Sequence, residues 1–356
     1  MENSSTAFFQ NEEVNYLYHA MVIATICFVI EFFLGIIGNL IVIWIISFNK
    51  EMHSTTNIYI ANLAISDAAF LAICIPRMIY TFWKVEGWEL GVVLCSIATT
   101  FMTMSALITC CTLTLMTIDR FLSIRYPMKA LEYRRNSVAL ISSLIVWIGS
   151  LILCFPYFFT FGVLVDPVSG YKHCTSIISF EYEMLSYGFV ILIVYIIPLA
   201  IILGCYAGML SIIWSSGRIL TDDAAQKRAA TQRKRRITIM VFVMVFGFAI
   251  CWGPLHFVNA YNYYLRFTNS DDSVPSLFEF SVKLFSLLLA YSNSCMNPFI
   301  YALIGENFKK HLRRMLPCFS VQRQSYRSSA FHTKTQEVSF SVQLNGSRGK
   351  NATTNL

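Results

Sequence analysis

Charged residues are scarce in this chain, and their scarcity sets its class. Only 13% of the 356 residues are Asp, Glu, Lys or Arg, whereas 56% are apolar and the mean hydropathy is +0.57. A soluble domain of this length needs more polar surface to cover itself. A basic segment at the start is also lacking, because residues 1–19 are polar and acidic, so we expect no cleavable signal peptide. These absences favour a protein that lies within lipid.

Seven apolar runs are each long enough to cross the roughly 30 Å hydrocarbon core of a bilayer. We predict spans at residues 20–47, 57–83, 92–125, 137–160, 184–214, 234–264 and 277–303. Buried helices of a soluble protein are the alternative, but the runs are too long and too poor in charge for it. The pattern therefore predicts an all-α membrane protein.

The positive charges predict how these spans are oriented. If the N-terminus lies outside, all 27 lysines and arginines fall on the cytoplasmic side except Arg77, Lys84, Lys172, Arg266 and Lys283. Positive residues favour the cytoplasm, so we expect an extracellular N-terminus. The net charge of +7 then reflects topology and attraction to membrane lipid of the inner leaflet, and we expect no nucleic-acid partner.

The same patterns divide the chain into four segments. Residues 1–19 are predicted to be an extracellular tail, 20–303 a membrane bundle, 304–318 an amphipathic surface helix, and 319–356 a disordered cytoplasmic tail. The sequence carries no phosphate loop, metal-ligand cluster or nucleophile constellation, so we expect no enzyme. It also carries no internal repeat or ring of charges, which argues against a transporter or a channel.

Each span contains a polar or proline-bearing motif. In chain order these are "GIIGNLIV", "IANLAISDAAF", "TLMTIDRFLSIRYP", Trp147, "IVYIIPLAIILGCY", "FGFAICWGP" and "NSCMNPFIY". With these motifs in this order, residues 20–318 resemble the rhodopsin-like (class A) G-protein-coupled receptors. The resemblance implies a seven-transmembrane helix bundle with an extracellular N-terminus and a short cytoplasmic amphipathic helix. It also implies an extracellular ligand and activation of a heterotrimeric G protein at the plasma membrane.

Asp67 lies in the middle of its span, where a carboxyl group is costly. The resemblance implies that it belongs to a hydrated sodium pocket, because oxygen ligands suit a hard cation. The pocket residues would be Asp67, Thr109, Asn293, Ser294 and Asn297, with Asn39 beside them. A protonated or fully hydrogen-bonded structural carboxyl is the alternative. We expect no cofactor other than a sodium ion that acts as an allosteric ligand.

The resemblance also implies a signalling switch. Asp119 would hold Arg120 in the resting state, and Arg120 would contact the G protein after activation. The other switch residues would be Tyr206, Phe248, Trp252, Pro254, Asn297, Pro298 and Tyr301. Interfacial anchoring of Arg120 and simple core packing of the aromatic residues are the alternatives. In some members of the family an acidic residue at the cytoplasmic end of span six also holds the arginine that matches Arg120. Here that end is basic at Arg233 and Lys234, so we expect a weaker resting state and some basal activity.

Several modifications are expected. Two cysteines, Cys95 and Cys174, lie on the outer side, and the resemblance implies a disulfide between them. Cys318 is a candidate palmitoylation site after the amphipathic helix, and Asn3 is a candidate glycosylation site. Kinases and arrestin would act on the tail at Ser325, Ser328, Ser329, Thr333, Thr335, Ser339 and Ser341.

The nature of the ligand follows from what two positions lack. Met102 stands where amine receptors carry an aspartate, and Tyr291 stands where opsins carry the retinal lysine. The stretches "IANLAISDAAFLAICIP", "GWELG" and "LAYSNSCMNPFIYALIGENFKK" resemble the branch of the galanin, allatostatin-A and kisspeptin receptors, so we expect a neuropeptide. An opsin-related or small-molecule sensor without the lysine is the alternative. The candidate ligand contacts are Arg77, Tyr80, Met102, Glu181, Tyr187, His256, Asn259, Tyr263, Lys283 and Tyr291.

Overall fold

The computed structural model describes residues 2–84, 87–216, 224–269 and 276–315. Within these ranges seven helices are long and apolar enough to cross a membrane, and we name them span one to span seven. They are Glu13–Phe48, Thr55–Trp83, Gly91–Arg125, Asn136–Phe159, Phe180–Ile212, Arg235–Thr268 and Leu277–Ile304. Each apolar run in the sequence corresponds to one of these helices, so the prediction of seven spans is confirmed.

The helices have the following bounds. They are α1 (Glu2–Phe48), α2 (Thr55–Trp83), α3 (Gly91–Arg125), α4 (Pro127–Tyr133), α5 (Asn136–Cys154), α6 (Phe180–Ile191), α7 (Ile197–Ser216), α8 (Ala224–Asn269), α9 (Leu277–Ile304) and α10 (Glu306–Met315). Short 3₁₀ turns lie at Lys50–Met52 and Phe155–Phe159. The chain divides into two units, Met1–Gly305 with the seven spans and Glu306–Leu356 with α10. The short helix predicted after span seven is therefore present as α10.

The first helix is longer than its apolar run. It begins at Glu2, so residues 2–19, which the sequence separated as a polar tail, continue the helix of span one. No glycine or proline occurs in residues 2–19, and nothing in the local sequence ends a helix there. Hydropathy marks where the apolar part of a helix begins, and the helix itself extends beyond it.

Two glycines in the "GIIGNLIV" motif let span one approach its neighbours closely. A Cβ atom added at Gly35 would lie 2.3 Å from Leu71 Cδ1, and one added at Gly38 would lie 3.0 Å from Pro298 Cβ. A larger residue at either position would push span one away from spans two and seven. The close approach brings Asn39 to the interior, where it is fully buried.

The backbone of the spans is interrupted at prolines. Pro76, Pro254 and Pro298 lie inside α2, α8 and α9, where each removes one helical hydrogen bond. In span five, α6 and α7 are joined by a π-helical turn at Leu192–Ile196, shortly before Pro198. A proline loosens the hydrogen bonds of the helical turn before it, and the π turn lies in the residues that precede Pro198.

A β-hairpin lies between spans four and five, within residues 161–183, which separate two of the predicted spans. Strand β1 (Phe161–Val165) pairs antiparallel with strand β2 (Lys172–Ser176), and Val163 is opposite Cys174. The hairpin is anchored to span three by the disulfide between Cys95 and Cys174 and by Ser96 Oγ, which donates to Phe161 O at 2.8 Å. The expected disulfide is therefore present.

Candidate functional site

Asp67 is the centre of a polar cluster inside the bundle. Its carboxylate is fully buried, and it accepts hydrogen bonds from Ser294 Oγ at 2.8 Å and Asn297 Nδ2 at 2.7 Å. Asn39 Nδ2 donates to Gly35 O and to Ser294 O, both at 2.9 Å. Three of the expected pocket residues are therefore joined to one another or to Asp67. These contacts satisfy the Asp67 carboxylate and the amide nitrogen of Asn39, which lipid cannot do.

The remaining pocket residues are buried but are not bonded to the carboxylate. Thr109 and Asn293 are 3% and 5% exposed, and neither hydrogen-bonds to Asp67 within the described ranges. Asn39 Oδ1 is buried and has no hydrogen-bond partner there. A buried carboxylate and an unused amide oxygen are both ligands that a hard cation accepts. The residues present therefore fit a sodium ion.

Asp119 near the C-terminal end of span three contacts two arginines. Its Oδ2 lies 2.5 Å from Arg120 Nη2, and its Oδ1 accepts from Arg134 Nε at 2.9 Å. Arg120 Nη2 also donates to Thr56 Oγ1 of span two. The pairing of Asp119 with Arg120 was expected, but the sequence analysis gave Arg134 no role. Arg134 follows α4, which turns the chain back toward span three after Arg125.

Trp147 of span four joins a polar chain that crosses three spans. Its Nε1 donates to Asn62 Oδ1 at 2.7 Å, and Asn62 Nδ2 donates to Thr112 Oγ1 at 2.9 Å. The indole N–H of Trp147 and both the oxygen and the nitrogen of the Asn62 amide are therefore hydrogen-bonded within the bundle. This explains why the tryptophan motif occurs in span four.

The aromatic residues predicted to form the switch lie one above another along span six. The ring centroids of Phe248 and Trp252 are 6.1 Å apart, and those of Trp252 and His256 are 6.0 Å apart. Phe70 of span two lies 6.3 Å from Trp252. Tyr206 packs edge-on to Phe242 at 5.4 Å, and Tyr301 is 1% exposed. Span six thus carries aromatic contacts from the middle of the bundle toward its outer end.

Span five continues this column outward. Tyr187 OH lies 3.2 Å from His256 Nδ1, and its ring centroid is 5.0 Å from that of Tyr263. Tyr263 OH donates to Glu183 Oε1 at 2.9 Å, and Arg266 Nη1 lies 3.9 Å from Glu183 Oε2. Glu183 is therefore the acid that joins spans five and six here. Glu181, which the sequence suggested, is exposed.

The other expected ligand contacts are distributed differently. Tyr291 is 1% exposed and packs against Phe28 and Phe70, at 5.2 and 4.8 Å between ring centroids. Met102 is half-buried against the same apolar cluster. Lys283 is exposed, whereas Asn259 is half-buried. Tyr291 thus lies inside the packed core of the bundle.

Arg77 and Tyr80 of span two meet Trp88, a residue that the sequence analysis did not single out. Arg77 Cζ lies 5.9 Å from the centre of the Trp88 ring, and Tyr80 packs edge-on to that ring at 5.6 Å. Trp88 is 4% exposed. The backbone N–H of Trp88 donates to Lys172 O of the hairpin at 2.8 Å. Span two is thereby linked to the outer hairpin.

A cavity of about 600 Å³ lies between the hairpin and the segment that follows span two. Its walls include residues of both strands and of the turn between them. The lining residues are Thr81, Gly87, Trp88, Leu164, Val165, Asp166, Pro167, Tyr171, Lys172, His173, Cys174 and Thr175. This volume is within the range of small-molecule and cofactor pockets.

Glu31 is an acidic residue of span one that the sequence analysis left out. Its Oε1 accepts a hydrogen bond from Ser292 Oγ of span seven at 2.5 Å, and Cys295 Sγ donates to its backbone oxygen at 3.1 Å. A single acid within an otherwise apolar run was the signal that could have identified it. The contact ties span one to span seven outside the Asp67 cluster.

Some expected sites cannot be placed. Cys318 and the tail serines and threonines lie outside the described residues, and so do the side chains of Asn3, Arg233 and Lys234. The predictions at these positions stay predictions.

The seven spans, the buried polar cluster around Asp67 and the pairing of Asp119 with two arginines define a multi-pass helical membrane protein. The profile of the 7 transmembrane receptor (rhodopsin family) matches residues 38–301. The chain belongs to this family.

Several curated proteins are similar to the chain over most of its length. The human KiSS-1 receptor is 31% identical over 80% of this chain and 72% of its own length. The allatostatin-A receptor of Bombyx mori is 30% identical over 85% of this chain and 81% of its own length. Galanin receptor 2b of Danio rerio is 28% identical over 84% of this chain and 76% of its own length. The branch predicted from the sequence is thereby confirmed.

Proposed function

We propose that the chain is a plasma-membrane receptor for a short extracellular neuropeptide and that it activates a heterotrimeric G protein. The observation that carries this proposal is the outer cavity of about 600 Å³, which the hairpin walls on one side. The similar proteins are, by name, receptors for KiSS-1, allatostatin-A and galanin. A peptide end fits a cavity of this size, and aromatic anchors suit it.

The aromatic contacts supply a route by which a ligand can favour one state of span six. A ligand that touches Tyr187 touches a side chain that contacts His256, which in turn stacks on Trp252. Tyr263 is connected to the same residues through its contact with Tyr187. Pro254 and the π turn in span five weaken the backbone where spans five and six would move. A ligand that binds the open state more tightly shifts the population toward that state.

At the inner end, the pairing of Asp119 with Arg120 and Arg134 holds the resting arrangement. In the active state Arg120 leaves the carboxylate and contacts the G protein. Kinases and arrestin act on the serine- and threonine-rich tail, and Cys318 carries a palmitoyl group. These partners follow from the family and from the tail sequence.

The charge distribution and the disulfide support the proposed orientation. The N-terminus and the hairpin lie outside the cell, where Cys95 and Cys174 are oxidised and Asn3 is available for glycosylation. The inner end, with Arg120 and Arg134, faces the cytoplasm.

A sodium ion is proposed as an allosteric ligand held by Asp67, with oxygen ligands from Asn39, Ser294 and Asn297. When bound, the ion would supply positive charge to a buried carboxylate. Spans one, two and seven meet at these residues, so their separation would disrupt the site. The arrangement in which these three spans remain in contact therefore favours binding of the ion.

The test is a calcium assay in cells that express the chain with a promiscuous G protein. The cells are challenged with a library of short peptides, both amidated and free-acid. A response in the wild type that is lost in Arg120→Ala, with surface expression kept, supports the proposal. Silence across the library at normal surface expression contradicts it and moves the assignment to an opsin-related or small-molecule sensor, which retinal and light would test next.

A further inference from the structure

Arg77 is a cation inside span two whose charge no described residue balances. It lies about two turns below Trp83, the outer end of the helix. Its Nε–H is buried and has no hydrogen-bond partner in the described ranges. No ion pair involves it there, and an ionisable group at membrane depth without a partner is costly.

The acids that could have balanced Arg77 are already engaged. Glu183 accepts from Tyr263 and pairs with Arg266, and Glu89 pairs with Lys84 at 2.9 Å. Deeper in the bundle, the Asp67 carboxylate is held by Ser294 and Asn297. Glu31 of span one accepts from Ser292 through Oε1, and its buried Oε2 has no hydrogen-bond partner in the described ranges. No ion pair joins any of these carboxylates to Arg77 in the described residues.

The guanidinium is held in place by neighbours that bear no charge. Arg77 Nη2 lies 3.6 Å from Cys174 Sγ, and the Trp88 ring lies on another side. Trp88 is itself fixed, because its Nε1 donates to Gly91 O at 2.8 Å and its backbone N–H donates to Lys172 O at 2.8 Å. A fixed guanidinium loses little entropy when it binds an anion.

Arg77 does not itself line the cavity of about 600 Å³, but it contacts two of the residues that do. Trp88 and Cys174 both contact Arg77, and both line the cavity of about 600 Å³. The acid in the lining, Asp166, is used by its own turn, where it accepts from Val168 N at 2.8 Å and Ser169 Oγ at 2.7 Å. Lys172 lines the same cavity and is exposed. The local charge available to a ligand is therefore positive.

We propose that Arg77 is the binding site for a carboxylate of the ligand. The guanidinium group can donate two parallel hydrogen bonds to a carboxylate and also balances its negative charge. An amide group on the ligand has no negative charge, so it would pair less well with Arg77. The carboxylate is either the free C-terminus of the peptide or the side chain of an Asp or Glu within it. This inference rests on the proposed function and adds the chemical class of the group that the receptor recognises.

The first experiment needs no ligand. The wild type, Arg77→Met and the control Arg266→Met are purified, and their thermal unfolding is compared in the absence of peptide. Because Arg77 is unbalanced, we expect the unfolding temperature of Arg77→Met to rise above that of the wild type. Arg266 already pairs with Glu183 and lies over Phe180, so the unfolding temperature of its variant should not rise. Both variants lose a contact with an aromatic ring, so a larger fall in Arg77→Met than in Arg266→Met would show an internal partner and overturn the proposal.

The second experiment uses the peptides that activate the wild type. Each is made as the free acid and the amide, and with every Asp or Glu changed to Asn or Gln, so that the two sources of a carboxylate are separated. Removing the relevant carboxylate should lower potency on the wild type by about thirtyfold or more. Arg77→Gln should lower the potency of the acid form equally, and removing both should cost no more than removing either.

Two results would overturn the proposal: acid and neutral forms that are equipotent on the wild type, or an Arg77→Gln receptor that keeps the preference for the acid. The control Arg266→Gln should keep that preference. If no peptide activates the wild type, the proposed function fails, and the ligand-free comparison still decides whether Arg77 is an unbalanced cation.

Discussion

Arg134 Nε lies 2.9 Å from Asp119 Oδ1, so a residue after α4 shares the carboxylate that also pairs with Arg120 at the end of span three. Asp119 and Arg120 are both buried, at 9% and 3% exposed. Arg134 therefore adds a second cation to the resting pair. It also ties the connection between spans three and four to Asp119, the carboxylate that Arg120 leaves in the proposed active state.

Arg134→Ala should increase ligand-free signalling. Losing one of the two cations on Asp119 weakens the resting arrangement by about 0.5–1 kcal/mol, because Arg134 is partly exposed. The active population should rise by about two- to fivefold, measured as basal G-protein activation at matched surface expression. Arg135→Ala is the control, since Arg135 is an adjacent exposed arginine. Equal basal signalling in Arg134→Ala, Arg135→Ala and the wild type would contradict the role of the ion pair.

Asp67→Asn should abolish the effect of sodium on the receptor. A cation that binds the resting state stabilises it in proportion to its concentration, so sodium should raise the unfolding temperature of the purified wild type. Choline chloride at the same ionic strength should not do so. In Asp67→Asn the two salts should give the same unfolding temperature. A sodium-specific rise that persists in the variant would show that the ion binds elsewhere.

The turn of the outer hairpin should loosen in acid. The Ser169 hydroxyl and the backbone N–H of Val168 hold the pKa of Asp166 below its usual range. The ionised form therefore stabilises the turn fully above the ordinary Asp pKa of about 3.9, and this is lost as the pH falls through the lower pKa of the folded turn.

The measurement is amide hydrogen exchange of Val168 and Ser169, each corrected for its intrinsic rate. Protection in the wild type should decrease from about pH 6 to about pH 3. In Asp166→Asn it should be independent of pH over that interval. A wild-type turn whose protection does not change with pH would rule out the carboxylate as its support.

The spans could be predicted because the bilayer fixes the length of an apolar helix, and a run such as residues 57–83 satisfies that length unaided. The neighbouring pair Asp119 and Arg120 could also be predicted, since adjacent residues need no knowledge of the fold. The family resemblance supplied the pairing of Cys95 with Cys174. These are properties of local sequence or of shared motifs.

What was missed depends on how distant segments meet. Arg134 reaches Asp119 only because α4 turns the chain back toward span three. Trp88 reaches Arg77 because the backbone of Trp88 is hydrogen-bonded to the hairpin. The strands β1 and β2 have five residues each, too short for a clear alternation. Glu183 could have been preferred over Glu181, because Glu183 and Tyr187 are four residues apart and share one helical face.

The contact of Trp147 with Asn62 gives a stability prediction. Trp147→Phe keeps the aromatic packing but removes the N–H that Asn62 Oδ1 accepts at 2.7 Å, leaving a buried oxygen unsatisfied. The free energy of unfolding should fall by about 1–3 kcal/mol, seen as a lower unfolding temperature of the ligand-free receptor.

A matched cycle separates this hydrogen bond from packing. Asn62→Leu removes the acceptor and also the donor to Thr112, so it should destabilise on its own. In the Asn62→Leu background, Trp147→Phe no longer leaves an oxygen without its hydrogen bond. Its additional effect on the free energy of unfolding should therefore be close to zero. If Trp147→Phe costs as much in the Asn62→Leu background as in the wild type, then the indole acts by packing alone and the polar chain across spans two, three and four does not stabilise the bundle.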